Sequence, residues 1–167
     1  MKVLFVCNNT VGRSQAAKAF YNQLTNSHDA DAAGVGLRLP EADTMLKFFV
    51  AKNGEAAMYK TLQEIGIDIG DYPRVQLTPE MLGGGYDLIV NIADKSQTPK
   101  WLRGDKVIWW NVPDPGHKEN FEERLVYSRV TRDLMRERVK KLIEIEKSGG
   151  DFHKLDDNID GGKNDRK

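Results

Sequence analysis

Val3-Leu4-Phe5-Val6-Cys7-Asn8-Asn9-Thr10-Val11-Gly12-Arg13-Ser14 is the stretch on which the fold turns. Its first four residues are an unbroken run of apolar, strand-forming side chains with no polar alternation. A strand of that kind is buried on both faces and belongs in the middle of a sheet. From Arg13 the period changes: Ala16, Ala17, Phe20 and Leu24 recur at spacings of three and four, which predicts a helix broken at Thr25-Asn26-Ser27-His28. Strand, short loop, helix is the opening of a crossover to a parallel neighbour.

Outward from there, Ala30 to Ala33 reads as a second strand, stopped by Gly34 and Gly36. Between Pro40 and Gly66 two helices are expected, one carrying Met45, Leu46, Phe49 and Val50, the other Ala57, Leu62 and Ile65, with Asn53-Gly54 between them. Leu88 to Ile92, entered through Gly83-Gly84-Gly85, reads as a third buried strand, and Val107 to Trp110 as a fourth. A long helix from about Glu119 to Lys147 shows Phe121, Leu125, Ser128, Met135, Val139, Leu142 and Ile143 on one stripe, with Glu137 and Lys141 paired on the outside. Strands alternating with helices predict a small doubly wound α/β fold: a four-stranded parallel sheet with helices on both faces, formed by residues 1–147. The polar segment 148–167 is expected to be a disordered tail. In such sheets ligands bind beyond the carboxyl ends of the strands, so the loops after Val6, Ile92 and Trp110 are where chemistry is expected.

Composition narrows the chemistry. A chain of 167 residues suits one domain and buries enough surface to need no disulfide or structural metal. Cys7 is the only cysteine, which excludes an intrachain disulfide and any zinc site built on several thiolates. Lys and Arg number 25 against 25 Asp and Glu, so no basic field draws the chain to nucleic acid or to an anionic membrane, and neither partner is expected. The apolar run after Met1-Lys2 is too short for a signal-peptide core or a membrane span, and a cytoplasmic location is expected. His28, His117 and His153 lack metal-ligand spacing and read as surface histidines. Gly34-x-Gly36 is too little for a dinucleotide loop, and no Gly-Lys-Ser/Thr ends a nucleotide phosphate loop. Neither a cofactor nor a metal is expected.

The loop itself, Cys-x5-Arg-Ser, suits an oxyanion. Five residues between strand end and helix start are long enough to turn the N–H groups of Asn8, Asn9, Thr10, Val11 and Gly12 inward around a tetrahedral anion, and the helix N-terminus adds orphan donors and its dipole. The same donors favour a thiolate at Cys7, a nucleophile. Arg13, at the far rim, has the planar fork that clamps two phosphate oxygens. The Ser14 hydroxyl is placed either to cap the helix or to donate to the sulfur. An apolar strand often ends in an inert core cysteine. The strand before, the helix after, Gly12 and Ser14 favour the reactive reading.

These residues resemble the low-molecular-weight protein tyrosine phosphatases and their thiol-dependent arsenate reductase relatives. The resemblance runs from Met1 to Lys147 and rests on the amino-terminal loop, Glu64-Ile65-Gly66-Ile67-Asp68-Ile69, Tyr86-Asp87-Leu88-Ile89-Val90, and Asp114-Pro115 ahead of the last helix. It implies that Asp114 is the general acid. Chemistry asks for such a group independently, since an oxygen leaving phosphorus needs a proton; Asp94, after the third strand, is the competing candidate. Asn9 and Thr10 stand where the family loop carries glycine and asparagine, and Gly116-His117 stands where eukaryotic members carry tyrosines. Asn tolerates a left-handed backbone better than the β-branched Thr.

The expected activity is a phosphomonoesterase acting through a phosphocysteine, with a phosphorylated protein or small aryl phosphate as substrate and inorganic phosphate as product. Two other readings stand beside it: arsenate reduction with an external thiol partner, and a non-catalytic module that binds phosphate or a phosphoprotein.

Overall fold

The computed structural model describes residues 1–158. Four strands, β1 (Val3–Cys7), β2 (Ala30–Gly34), β3 (Leu88–Asn91) and β4 (Val107–Trp109), form one sheet in the order β2-β1-β3-β4. Every pairing is parallel, with Val3 opposite Ala30 on one side and Leu88 on the other. The run Val3–Val6 thus occupies an interior strand, and all five residues of β1 are buried. Because the chain goes from β1 outward to β2 and then crosses to β3 on the other side, the connections diverge at the boundary between β1 and β3. A crevice opens there at the carboxyl ends of the strands.

The α-helices are α1 (Arg13–Thr25), α2 (Met45–Ala51), α3 (Ala57–Gln63) and α4 (Phe121–Ser148). Alternation in β1 sends Val3, Phe5 and Cys7 into a core with Ala16, Phe20, Leu62, Met135 and Val139, so the helices crowd one face. Leu4 and Val6 point the other way, against Ala33, Leu77, Ile89 and Leu102. That second face is covered by the 3-10 turn Pro79–Gly83 and by loops, a thinner layer than the first. The stripe on α4 is met at Leu125, Ser128, Met135, Val139, Leu142 and Ile143, all buried. Glu137 pairs with Lys140 at 3.2 Å rather than with Lys141.

Residues 148–158, expected to begin a disordered tail, are held in place. Ser148 ends α4, and a 3-10 turn follows at Phe152–Leu155. The Asp157 N–H donates to the Trp109 carbonyl at 2.8 Å, and the Asp156 carboxylate accepts from the Trp109 N–H at 3.1 Å. These bonds satisfy the outer edge of β4, which has no strand beside it among the described residues. The polar composition hid this because Phe152 and Leu155 are the apolar side chains that pack against the core here, while Asp156 and Asp157 supply carboxylates that answer a backbone edge. The rest of the expected tail, 159–167, lies outside the described residues.

Candidate active site

The loop 8–12 joins β1 to α1, so its conformation follows from two fixed ends. Helix α1 starts after Gly12, with no side-chain hydrogen bond at its N-cap and no acidic residue in its first turn. Its leading N–H groups therefore meet no side-chain competitor for an anion. Cys7 is 3% exposed, and it lies on the floor of a cleft of about 520 Å³. Ser14 makes no cap to the helix; its Oγ lies 3.0 Å from the Cys7 Sγ, a contact in which either atom can donate. The hydroxyl of Thr10 lies 3.1 Å on the other side of it.

Thr10 is where the loop is strained. Its φ is +50°, in the left-handed region, while Asn9 has no positive φ. A β-branched residue held there costs about 1–3 kcal/mol. The surroundings over-determine it: Thr10 is fully buried, and Gln15 Nε2 donates to its carbonyl at 3.1 Å and to its Oγ1 at 3.3 Å. Thr10→Asn, a residue more tolerant of this backbone, is expected to raise the melting temperature by about 2–4 °C. Thr10→Val keeps the strain and strips Ser14 and Gln15 of a partner, and it should lower the melting temperature. Thermal unfolding of both variants checks the pair.

The Asn9 side chain is tied to two neighbouring segments. Its Oδ1 accepts from the Arg38 N–H at 2.7 Å and from Arg74 Nη2 at 2.8 Å. Gly34 backs the loop from β2: a Cβ there would stand 3.1 Å from the Asn8 oxygen and 3.1 Å from the Asn9 carbonyl carbon. Read in the sequence as a strand stop, it is also the gap that lets Val35 and Gly36 donate to the Cys7 and Asn8 carbonyls.

Arg13 is buried at 3% exposure, not placed on an open rim. Its Nη1 donates to the carbonyls of Ile92 at 2.9 Å and Val112 at 2.8 Å, beyond the ends of β3 and β4. Both candidate acids converge on it: Asp94 Oδ1 lies 3.4 Å from Nη1, and Asp114 Oδ2 lies 3.6 Å from Nη2. Their settings differ. Asp94 also accepts from Asn8 Nδ2 at 3.0 Å, its own N–H donates to Asn8 Oδ1 at 3.0 Å, and His117 Nε2 stands 3.4 Å from it. Burial pushes the Asp94 carboxyl up, but the Asn8 amide, Arg13 and His117 outweigh it and hold it below the ordinary carboxylate range. A carboxyl so held favours its ionised form, and it bonds both Arg13 and the loop at Asn8. Asp114 has one oxygen on the Gly116 N–H at 2.9 Å and the other toward Arg13, and it opens the 3-10 turn Pro115–His117.

His117 is exposed, as its surface reading requires, but it faces both carboxylates, standing 3.9 Å from Asp114 Oδ2. The signal for it was its place three residues after Asp114 in one turn. Arg38, Lys52 and Arg124 bring positive charge to the cleft, and Phe48 is the one Phe, Tyr or Trp among its described lining residues. Among the described residues no cluster of three or more His, Cys, Asp or Glu is placed to hold a metal, and no helix is long and apolar enough to cross a membrane.

No protein-family model and no curated protein sequence matches the chain. Solved structures do. An arsenate reductase from Archaeoglobus fulgidus is 29% identical, covering 86% of this chain and 99% of that one at a TM-score of 0.58. A low-molecular-weight protein tyrosine phosphatase from T. tengcongensis is 28% identical, covering 86% and 98% at a TM-score of 0.60. A low-molecular-weight phosphotyrosine phosphatase from Vibrio cholerae O395 is 17% identical, covering 90% and 99% at a TM-score of 0.62. The structural neighbours of this chain are thus low-molecular-weight tyrosine phosphatases and arsenate reductases, and it shares their fold.

Proposed function

We propose that this chain is a cysteine-dependent phosphomonoesterase that works by double displacement. The observation that carries the reading is the convergence of Cys7, Arg13 and Asp114 on one cleft, around a loop that runs into the bare N-terminus of α1. The Cys7 thiolate attacks phosphorus in line. The N–H groups of Asn8 to Arg13 and the Arg13 guanidinium hold the equatorial oxygens, with Nη1 kept on the Ile92 and Val112 carbonyls so that the fork stays oriented. Asp114 protonates the leaving oxygen; the resulting carboxylate then activates the water that releases inorganic phosphate. Ser14, beside the sulfur, donates to it as the phosphorus–sulfur bond breaks. Arginine and amides supply the positive field, so the mechanism calls on no metal or cofactor. A phosphorylated protein or an aryl phosphate is the substrate class, in a cytoplasmic setting.

Arsenate reductases among the structural neighbours favour a second reading, since arsenate matches phosphate in shape and charge. Cys7 is the only cysteine, so release of an arsenylated Cys7 would depend on an external thiol. Paired assays on one preparation separate the two: hydrolysis of an aryl phosphate, and thiol-dependent reduction of arsenate. Hydrolysis well above reduction is expected. Reduction alone would reverse the assignment, and tight phosphate binding with neither activity would make the chain a binding module.

A further inference from the structure

Nothing in Tyr72-Pro73-Arg74-Val75-Gln76 marks Arg74 as special, yet the structure buries it to 4% exposure beneath the loop that carries Cys7. Its guanidinium meets five oxygens. Nη1 donates to the carbonyls of Leu39 at 2.9 Å and Ala42 at 2.7 Å. Nη2 donates to Asn9 Oδ1 at 2.8 Å, to the Arg38 carbonyl at 2.7 Å and to the Asn9 carbonyl at 3.3 Å. Its plane lies 4.5 Å over the Phe48 ring, and Nε is buried with no hydrogen-bond partner.

Every one of those acceptors is a neutral amide oxygen. Amide dipoles solvate a buried cation but leave its net charge uncancelled, and a buried charge without a counterion is costly. Burial pushes the Arg74 guanidinium down, and the groups that push it back up are Glu41 and the Cys7 sulfur. Geometry ties the same cation to the loop that surrounds the sulfur, through both oxygens of Asn9. The arrangement also gives a reason for Asn9 at a place where the loops this chain resembles carry glycine: its side-chain oxygen ties Arg74 to the loop and accepts from Arg38 in the cleft wall.

We propose that Arg74 is a positioning residue of the anion site: a second buried positive charge, behind the loop, whose counterion is the Cys7 thiolate in the free protein and the phosphoryl group in the complex. It acts through the loop and its field, not by touching substrate. This inference rests on reading Cys7 as the nucleophile.

Two variants separate charge from hydrogen bonding. Arg74→Gln keeps donors for some of the carbonyls and removes the charge; Arg74→Lys keeps the charge and loses the fork. The readouts are the rate of Cys7 alkylation by iodoacetamide near neutral pH and inhibition of aryl-phosphate hydrolysis by inorganic phosphate. Arg74→Gln is expected to slow alkylation about tenfold and to weaken phosphate inhibition about tenfold, as loss of a nearby opposite charge requires. At a pH well above the ordinary thiol value of about 8.5 its alkylation rate should converge on that of the unmodified protein. Arg74→Lys should hold both readouts within about threefold of that protein, because a retained charge is what the anion needs. Unchanged readouts in Arg74→Gln, or a lysine variant as impaired as the glutamine one, overturn the proposal. If Arg74→Gln does not fold, the lysine variant decides alone by the same limits. Slow, phosphate-insensitive alkylation of Cys7 in the unmodified protein would instead sink the nucleophile reading itself, so the two failures are distinguishable.

Discussion

Cys7→Ser is expected to reduce turnover of an aryl phosphate by about ten-thousand-fold or more, which at about 1.36 kcal/mol per factor of ten is ~5.5 kcal/mol of barrier. The size follows from what the site offers the two atoms. A thiol surrounded by loop amides and a helix N-terminus attacks as its anion, whereas a hydroxyl in the same place remains protonated and is a far weaker nucleophile. The substitution should leave the fold alone, because Ser14 Oγ stands 3.0 Å from the sulfur and can bond a hydroxyl as readily. The loop amides and Arg13 are untouched, so the variant should still bind inorganic phosphate. Turnover, a melting curve and phosphate binding measured together check the claim: activity lost, fold and binding kept.

Asp114→Asn is expected to cost about a hundred- to ten-thousand-fold, the usual range for removing a general acid. The loss should grow with the basicity of the leaving group, since a nitrophenolate departs almost unaided and an alkoxide does not. Asp94→Asn gives the contrast. Asp94 is bound to Asn8, Arg13 and His117, so its loss should loosen the Arg13 fork and weaken phosphate binding with no dependence on the leaving group. Leaving-group series on both variants distinguish donor from anchor. A steep leaving-group dependence in Asp94→Asn and none in Asp114→Asn would exchange the roles.

Much of this was legible in the sequence, for reasons that differ by residue. The unalternating run Val3–Val6 placed β1 inside the sheet because a strand covered on both faces has no solvent side to pattern. Cys7 and Arg13 were readable because their spacing brackets a loop between strand and helix, a local feature. The convergence of Asp94 and Asp114 on Arg13 was not, since it depends on β3 and β4 lying side by side and on carbonyls of Ile92 and Val112 some 80 to 100 residues from the arginine. Arg74 was invisible for the same reason: its partners at Asn9, Arg38, Leu39 and Ala42 come from two other loops, and no local period announces a buried cation. Thr10 shows the opposite case. Sequence reasoning expects asparagine, not threonine, to take the left-handed position, and the structure puts Thr10 there because Ser14 and Gln15 hold it.

In the proposed mechanism phosphorus passes through a covalent bond to Cys7. Quenching Asp114→Asn within the first turnover of an aryl phosphate and mapping its peptides by mass spectrometry tests this most directly. One phosphoryl group on the peptide that contains Cys7, formed together with a burst of phenol equal to the enzyme present, is expected. Phenol released with no phosphorylated Cys7, or a phosphoryl group on another residue, would contradict it.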